Sequence, residues 1–200
     1  MAAKIQEVVD RTPDGIYDAI LLGYGLCGNG LHGLTARHSR LVLPRAHDCI
    51  ALLMGSRERY LAYFEGNPGT YYLSTGWLER GKGLHQLTHN PMGFDESLEA
   101  MIRKYGEDNG RYLYEEMTRY CSQYRKLTFI ETGLEAGGTF VTEAAAEARQ
   151  RGLSFERLLG NLAWLRRMVE GEWAEAEFVV AEPGQRIVAS YDTGVVKVKS

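Results

Sequence analysis

Residues 17–56 read YDAILLGYGLCGNGLHGLTARHSRLVLPRAHDCIALLMGS, and this stretch decides the fold. Two short apolar runs, Ala19-Ile20-Leu21-Leu22 and Leu41-Val42-Leu43-Pro44, each lead into a loop of unusual side chains. Gly23, Gly25, Cys27, Gly28, Asn29 and Gly30 follow the first run; Arg45, His47, Asp48 and Cys49 follow the second. Successive strands of an α/β fold are usually parallel, so both loops are expected at the carboxyl edge of one sheet. Two cysteines and a histidine, distant in sequence, would then meet there.

Outward from this stretch, strand and helix patterns alternate. Ile5, Val8 and Val9 stand at helical spacing ahead of the turn Thr12-Pro13-Asp14-Gly15. Residues 17–25 read as a buried strand, and residues 30–37 as a short helix with Leu31 and Leu34 on one face. From Asp48 a helical period runs to Phe64, broken or re-capped at Gly55-Ser56. Residues 70–74 are a strand by β-propensity, with Thr75-Gly76-Trp77 as the loop at its end. Helices are predicted over 95–105 and 109–124, a strand over 127–131, and a glycine-bearing loop over 132–138. Two helices follow, over 141–151 and 154–170, the second opened by Ser154 as N-cap. A strand over 178–182 and a hairpin or tail over 186–199, with Asp192-Thr193-Gly194 as its turn, complete the reading. Residues 81–93 read as an irregular, exposed loop. The alternation predicts an α/β fold, three-layered and Rossmann-like with a mostly parallel sheet, as a single domain over residues 1–200.

The totals narrow the function classes. Apolar residues make up 44% and charged residues 24% of 200, a globular composition. A net charge of −3 offers no general basic surface to nucleic acid or anionic lipid. No apolar run approaches the roughly 20 residues that span a bilayer. The opening MAAKIQEVVDRTPDG lacks the basic-then-apolar order of a signal peptide. The expectation is a cytoplasmic protein acting on a small-molecule ligand, with no nucleic acid and no membrane partner. The cysteines number three, an odd count that favours reduced thiols over a disulfide framework.

Cys27, His47 and Cys49 form the leading constellation. Thiolate and imidazole are the ligands that zinc and other borderline or soft metals prefer, so a metal ion, Zn or Fe, is the expected cofactor. Cys121, on the predicted helix over 109–124, is a fourth candidate ligand, or equally a small core residue. Asn29, Arg45, Asp48, Tyr72 and Trp77 are the candidates to line the ligand pocket, with Arg57 and Arg59 as further anion-holding arginines. The rival reading makes Cys27 a nucleophile at a helix start, with His47 as base and Asp48 as the acid that orients it. Gly28-Asn29-Gly30-Leu31-His32-Gly33 is a literal G-x-G-x-x-G. The helix after it is too short for a dinucleotide unit, however, and Pro44-Arg45 stands where a ribose-binding acid belongs, so no nicotinamide cofactor is favoured.

Three motifs, YDAILLGYGLCGNGLHGL, LVLPRAHDCIALLMGSRERY and GTYYLSTGWLERG, make the chain resemble the DUF1638 family over residues 17–182. This is an uncharacterised group from bacteria and methanogenic archaea. Cys27, His47 and Cys49 stand at the family's motif positions, which strengthens the metal reading. The resemblance further implies a link to corrinoid-dependent methyltransferases and one-carbon metabolism, as an enzyme or as a non-catalytic accessory or binding protein. It also implies that this chain lacks an amino-terminal strand-and-helix segment, with an early cysteine, that relatives carry ahead of the Tyr17 strand.

Overall fold

A computed structural model describes residues 1–80, 98–119, 123–135, 139–190, 192 and 194–200. These form two compact units: residues 1–63 with 160–200, and residues 64–159.

The first unit is built on β2 (Arg40–Pro44), whose last four residues are buried. β1 (Ala19–Leu21) pairs parallel to it, Ala19 opposite Arg40 and Leu21 opposite Val42. β6 (Phe178–Ala181) pairs antiparallel on its other side, Leu41 opposite Ala181 and Pro44 opposite Phe178. A continuous apolar strand needs both faces covered, and β2 has them covered. Leu41 and Leu43 pack with Val9 of α1 (Ala2–Arg11) and with Leu31, Leu34 and Ile187. Val42 packs on the opposite side with Ala51 and Leu52 of α2 (Cys49–Met54) and Trp164 and Met168 of α8 (Ala163–Glu170). The carboxyl-terminal hairpin pairs β7 (Arg186–Ala189) with β8 (Val196–Lys199), the hairpin expected from the sequence.

The second unit holds β3 (Thr70–Ser74), β4 (Lys126–Glu131) and β5 (Ser154–Leu159) as an all-parallel sheet in the order β3-β4-β5. Its core joins Tyr71, Leu73, Leu127 and Phe129 to Ala144 and Ala148 of α7 (Thr139–Gln150). Its other helices are α4 (Thr75–Arg80), α5 (Leu98–Tyr105) and α6 (Glu107–Arg119). The boundary between the units falls within α3 (Arg57–Gly66).

The class is therefore mixed α/β with parallel pairing, but among the described residues the strands divide between two three-stranded sheets and a hairpin. Several expectations are corrected. Residues 30–37 are not helical. Gly33 N–H donates to Ile187 O (2.8 Å), Ile187 N–H to Leu34 O (2.7 Å) and Ala36 N–H to Gln185 O (3.0 Å), so the hairpin takes the backbone groups a helix would use. Residues 154–159 are β5 rather than the start of a helix, because β4 offers a full parallel register from Lys126–Ser154 to Glu131–Leu159. Tertiary pairing overrides local propensity in both segments. The last helix instead begins at Ala163, whose N–H donates to Asn161 Oδ1 at 2.8 Å. Thr75-Gly76-Trp77 opens α4 instead of forming a loop. The strand expected over 17–25 narrows to Ala19–Leu21. The loop expected over 81–93 and the candidate ligand Cys121 lie outside the described residues.

Gly55 ends α2 in the left-handed region (φ 82°), and a Cβ there would lie 2.5 Å from Asn161 O and 2.7 Å from Asn161 Cβ. Gly55→Ala meets both conformational strain, about 1–2 kcal/mol, and overpacking, about 1–3 kcal/mol. Chemical denaturation is expected to show a loss of at least ~2 kcal/mol; a loss below ~0.5 kcal/mol would contradict this packing.

Candidate functional site: a thiol pair at the carboxyl ends of two parallel strands

Parallel pairing of β1 and β2 does not stop at the strand ends. Leu22 N–H donates to Val42 O (2.8 Å), Leu26 N–H to Ala46 O (2.9 Å) and Cys27 N–H to His47 O (2.8 Å). The first loop is thus laid along the second. Gly25 makes this fit, since a Cβ there would stand 2.4 Å from the Cα and carbonyl carbon of Asp48. Only a residue without a side chain lets the backbones come so close.

Past this contact the chain turns sharply. Cys27, Gly28 and Asn29 take φ values of 43°, 64° and 67°, a run of three left-handed residues. Gly30 N–H donates back to Leu26 O at 2.8 Å. For Gly28 the conformation is free and for Asn29 tolerable, whereas for Cys27 it costs about 1–2 kcal/mol. The turn leaves Cys27 exposed, on a loop whose backbone is bonded to the one that carries the half-buried Cys49. Burial pushes the Cys49 thiol up to about 12, and the neighbouring Cys27 and Asp48 add to the rise.

The other expected site residues take different places. Asp48 caps α2: its Oδ1 accepts from Ala51 N–H (3.0 Å) and its Oδ2 from the Tyr60 hydroxyl (2.9 Å). Both carboxylate oxygens thus brace the second loop. His47 gives its backbone carbonyl to Cys27, while the residue itself is exposed. Among the described residues no group of three or more Cys, His, Asp or Glu side chains stands where one ion could be held by all of them. Arg45 is a structural pin: its Nε donates to Glu175 O (2.7 Å), and its Nη1 to Gly194 O (3.1 Å) and Val196 O. Arg45, Arg57, Glu58 and Trp164 line a small cleft of mixed charge that the two cysteines do not border. Arg59 Nη1 donates to Met54 O at 3.1 Å. Asn29 is exposed in the left-handed turn. Tyr72 and Trp77 belong to the second unit, Tyr72 on β3 and Trp77 packed on that unit's core. No helix follows Cys27, so the helix start expected there is replaced by the turn. In the sequence Gly25 stands out only as one of several loop glycines and Tyr60 only as a member of a helical period, yet these two set the geometry.

The fold and the site define a mixed α/β protein with a vicinal pair of reduced thiols on adjoining strand-end loops. The chain belongs to the DUF1638 family, described as "Protein of unknown function (DUF1638)", which matches residues 1–169. No curated protein and no solved structure matches it. No helix among the described residues is long and apolar enough to cross a membrane.

Two tests bear on this geometry. Gly25→Ala is expected to lower stability by about 1–3 kcal/mol in denaturant titrations, as an overpacked contact does; an unchanged midpoint would mean that the loops do not meet at Asp48. The Cys49 shift gives a pH signature. Its thiol titrates near 12 when folded against an ordinary 9.0, so between these values the folded state keeps a proton that the unfolded chain has released. Stability should fall as pH rises from about 9 towards 12, and Cys49→Ala should flatten that decline. Identical alkaline limbs in the two proteins would show that Cys49 is not held protonated.

Proposed function

We propose that Cys27 and Cys49 bind a thiophilic ligand, with a soft or borderline metal ion such as Zn or Fe as the first candidate. One observation carries the reading: strand-end loops far apart in sequence are laid along each other, one with an exposed thiol and one with a half-buried thiol. The donor set suits such an ion, because thiolates are the protein ligands these metals bind most firmly. Two protein sulfurs leave coordination positions to a small molecule, as in open catalytic sites rather than closed structural ones. A metal held there would polarise a bound ligand or activate a thiol that accepts a methyl group. Cys27 and Cys49 would hold the ion, Asp48 and Tyr60 would keep the second loop in place, and exposed His47 and Asn29 would flank the opening. A one-carbon setting beside corrinoid methyltransferases, implied by the resemblance to other family members, is the physiological context we attach to this site. A Rossmann-like, three-layer organisation is the finer reading of the architecture, with the ligand at the carboxyl edge where such folds bind.

A metal-free reading, with Cys27 as nucleophile, has one observation in its favour: Cys27 is exposed and held in a costly backbone conformation. Such strain clusters at sites of function.

Metal analysis of protein purified and reduced without oxygen tests the proposal. About one equivalent of metal, lost in both Cys27→Ser and Cys49→Ser, is the expected result. Cobalt substitution should give a thiolate-to-metal charge-transfer band that either substitution weakens. Absence of uptake, or uptake indifferent to both substitutions, would overturn the metal reading and leave the nucleophile.

A further inference from the structure

We propose that Cys27 and Cys49 are also a redox modification site, closing into an intramolecular disulfide by exchange with a low-molecular-weight disulfide and so shutting the thiol site. The inference rests on the reading above that this thiol pair is the site, and it assigns that site a regulation.

Three features of the molecule converge on it. The backbone registers the partners: Leu26 and Cys27 are hydrogen-bonded to Ala46 and His47, so Cys27 lies alongside the start of α2, where Cys49 is the first residue. Both cysteines are free thiols, and the close approach of Gly25 to the backbone of Asp48 draws the loop of Cys27 against the residue that precedes Cys49. Their surroundings differ in the way exchange chemistry requires. Cys27 stands exposed on the left-handed turn, open to an incoming disulfide, while Cys49 is sheltered behind it. Attack needs an accessible thiolate, and resolution needs a second thiol within reach of the first sulfur.

The step balances as follows. The Cys27 thiolate attacks one sulfur of RSSR, forming Cys27–S–SR and expelling RS⁻, which takes up a proton. Cys49 gives up its proton, and its thiolate attacks the Cys27 sulfur, expelling the second RS⁻. Two protein thiols are oxidised, one small-molecule disulfide is reduced, and two RSH leave. The two cysteines stand on loops bonded to each other, so resolution is intramolecular, with the high effective concentration this brings. Once closed, the pair has no thiolate to offer a metal or any other thiophilic ligand.

The test uses the full chain, reduced, freed of reductant without oxygen, and equilibrated with mixtures of oxidised and reduced glutathione. Unreacted thiols are blocked in acid, and linked peptides are mapped by mass. Under oxidising mixtures the free thiols are expected to fall from three to one, with a Cys27–Cys49 peptide that disappears on reduction. Cys49→Ser should instead accumulate glutathione on Cys27. Cys121→Ser should leave the closure intact; should that variant fail to fold, the linkage mapped in the unaltered chain decides. A stable glutathione adduct on Cys27 of the unaltered protein would overturn the proposal, as would a link that involves Cys121. Zinc uptake by the reduced and the oxidised protein is measured in parallel. Uptake by the reduced form alone supports the shutting of the site, and equal uptake by both overturns it. Closure without any zinc uptake by the reduced form would overturn the metal reading while supporting the disulfide.

Discussion

The approach of Gly25 to the backbone of Asp48 is the constraint on which the site depends. Hydrogen bonds at Leu22, Leu26 and Cys27 prolong the β1–β2 pairing beyond the regular strands. They can do so only while the two loops lie closer than a side chain would allow. The placement of Cys27 over Cys49 is therefore a consequence of backbone geometry. It needs no attraction between two thiols, which would be weak. Asp48 fixes the other half of the arrangement. One carboxylate oxygen caps α2 and the other holds Tyr60, so the backbone that Gly25 meets is braced from both sides.

Arg45 shows how a residue in this stretch can look like ligand chemistry and serve the fold. Its guanidinium gathers the carbonyls of Glu175, Gly194 and Val196, tying the end of β2 to the carboxyl-terminal segment. Between two of those carbonyls sits Val195, fully buried at φ 63°, a conformation a β-branched residue adopts only under compulsion. Ser190 N–H donates to Val195 O at 2.8 Å, and Arg45 holds the flanking carbonyls, so the strain is locked in from both directions. A cation with several backbone acceptors satisfied in this way is better understood as a structural clamp than as an anion receptor.

What the sequence disclosed follows from how local each signal is. β2 is legible because burial on both faces leaves an unbroken apolar string, and β3 because Thr70, Tyr71 and Tyr72 favour extended backbone. The meeting of the two loops is legible for a related reason: parallel neighbours open their loops at the same edge. Asp48 stands immediately before an apolar helix start, an N-cap pattern that its reading as pocket lining and as the acid orienting His47 left unused. The segments 30–37 and 154–159 were not legible, because their structure is decided by Ile187 and by β4, which lie far away in the chain. Arg45 is the extreme case, with its backbone acceptors at Glu175 and beyond and no local mark to announce them.

The left-handed turn at Cys27 bears directly on what the site is for. A glycine there would adopt φ 43° without penalty, as Gly28 adopts 64° beside it. The chain instead carries a cysteine, at a cost of about 1–2 kcal/mol out of a net stability that in proteins of this size is about 5–15 kcal/mol. Burial does not repay that cost, since the side chain is exposed. A gain that offsets it would come from what the sulfur does at that spot, on a loop laid along the one that carries the half-buried Cys49. The metal capture and the disulfide closure we propose would both draw on this arrangement, and they would exclude one another because each consumes the same two sulfurs. A site of that kind would be responsive by construction: the redox state of the thiols would decide whether it is open to its ligand.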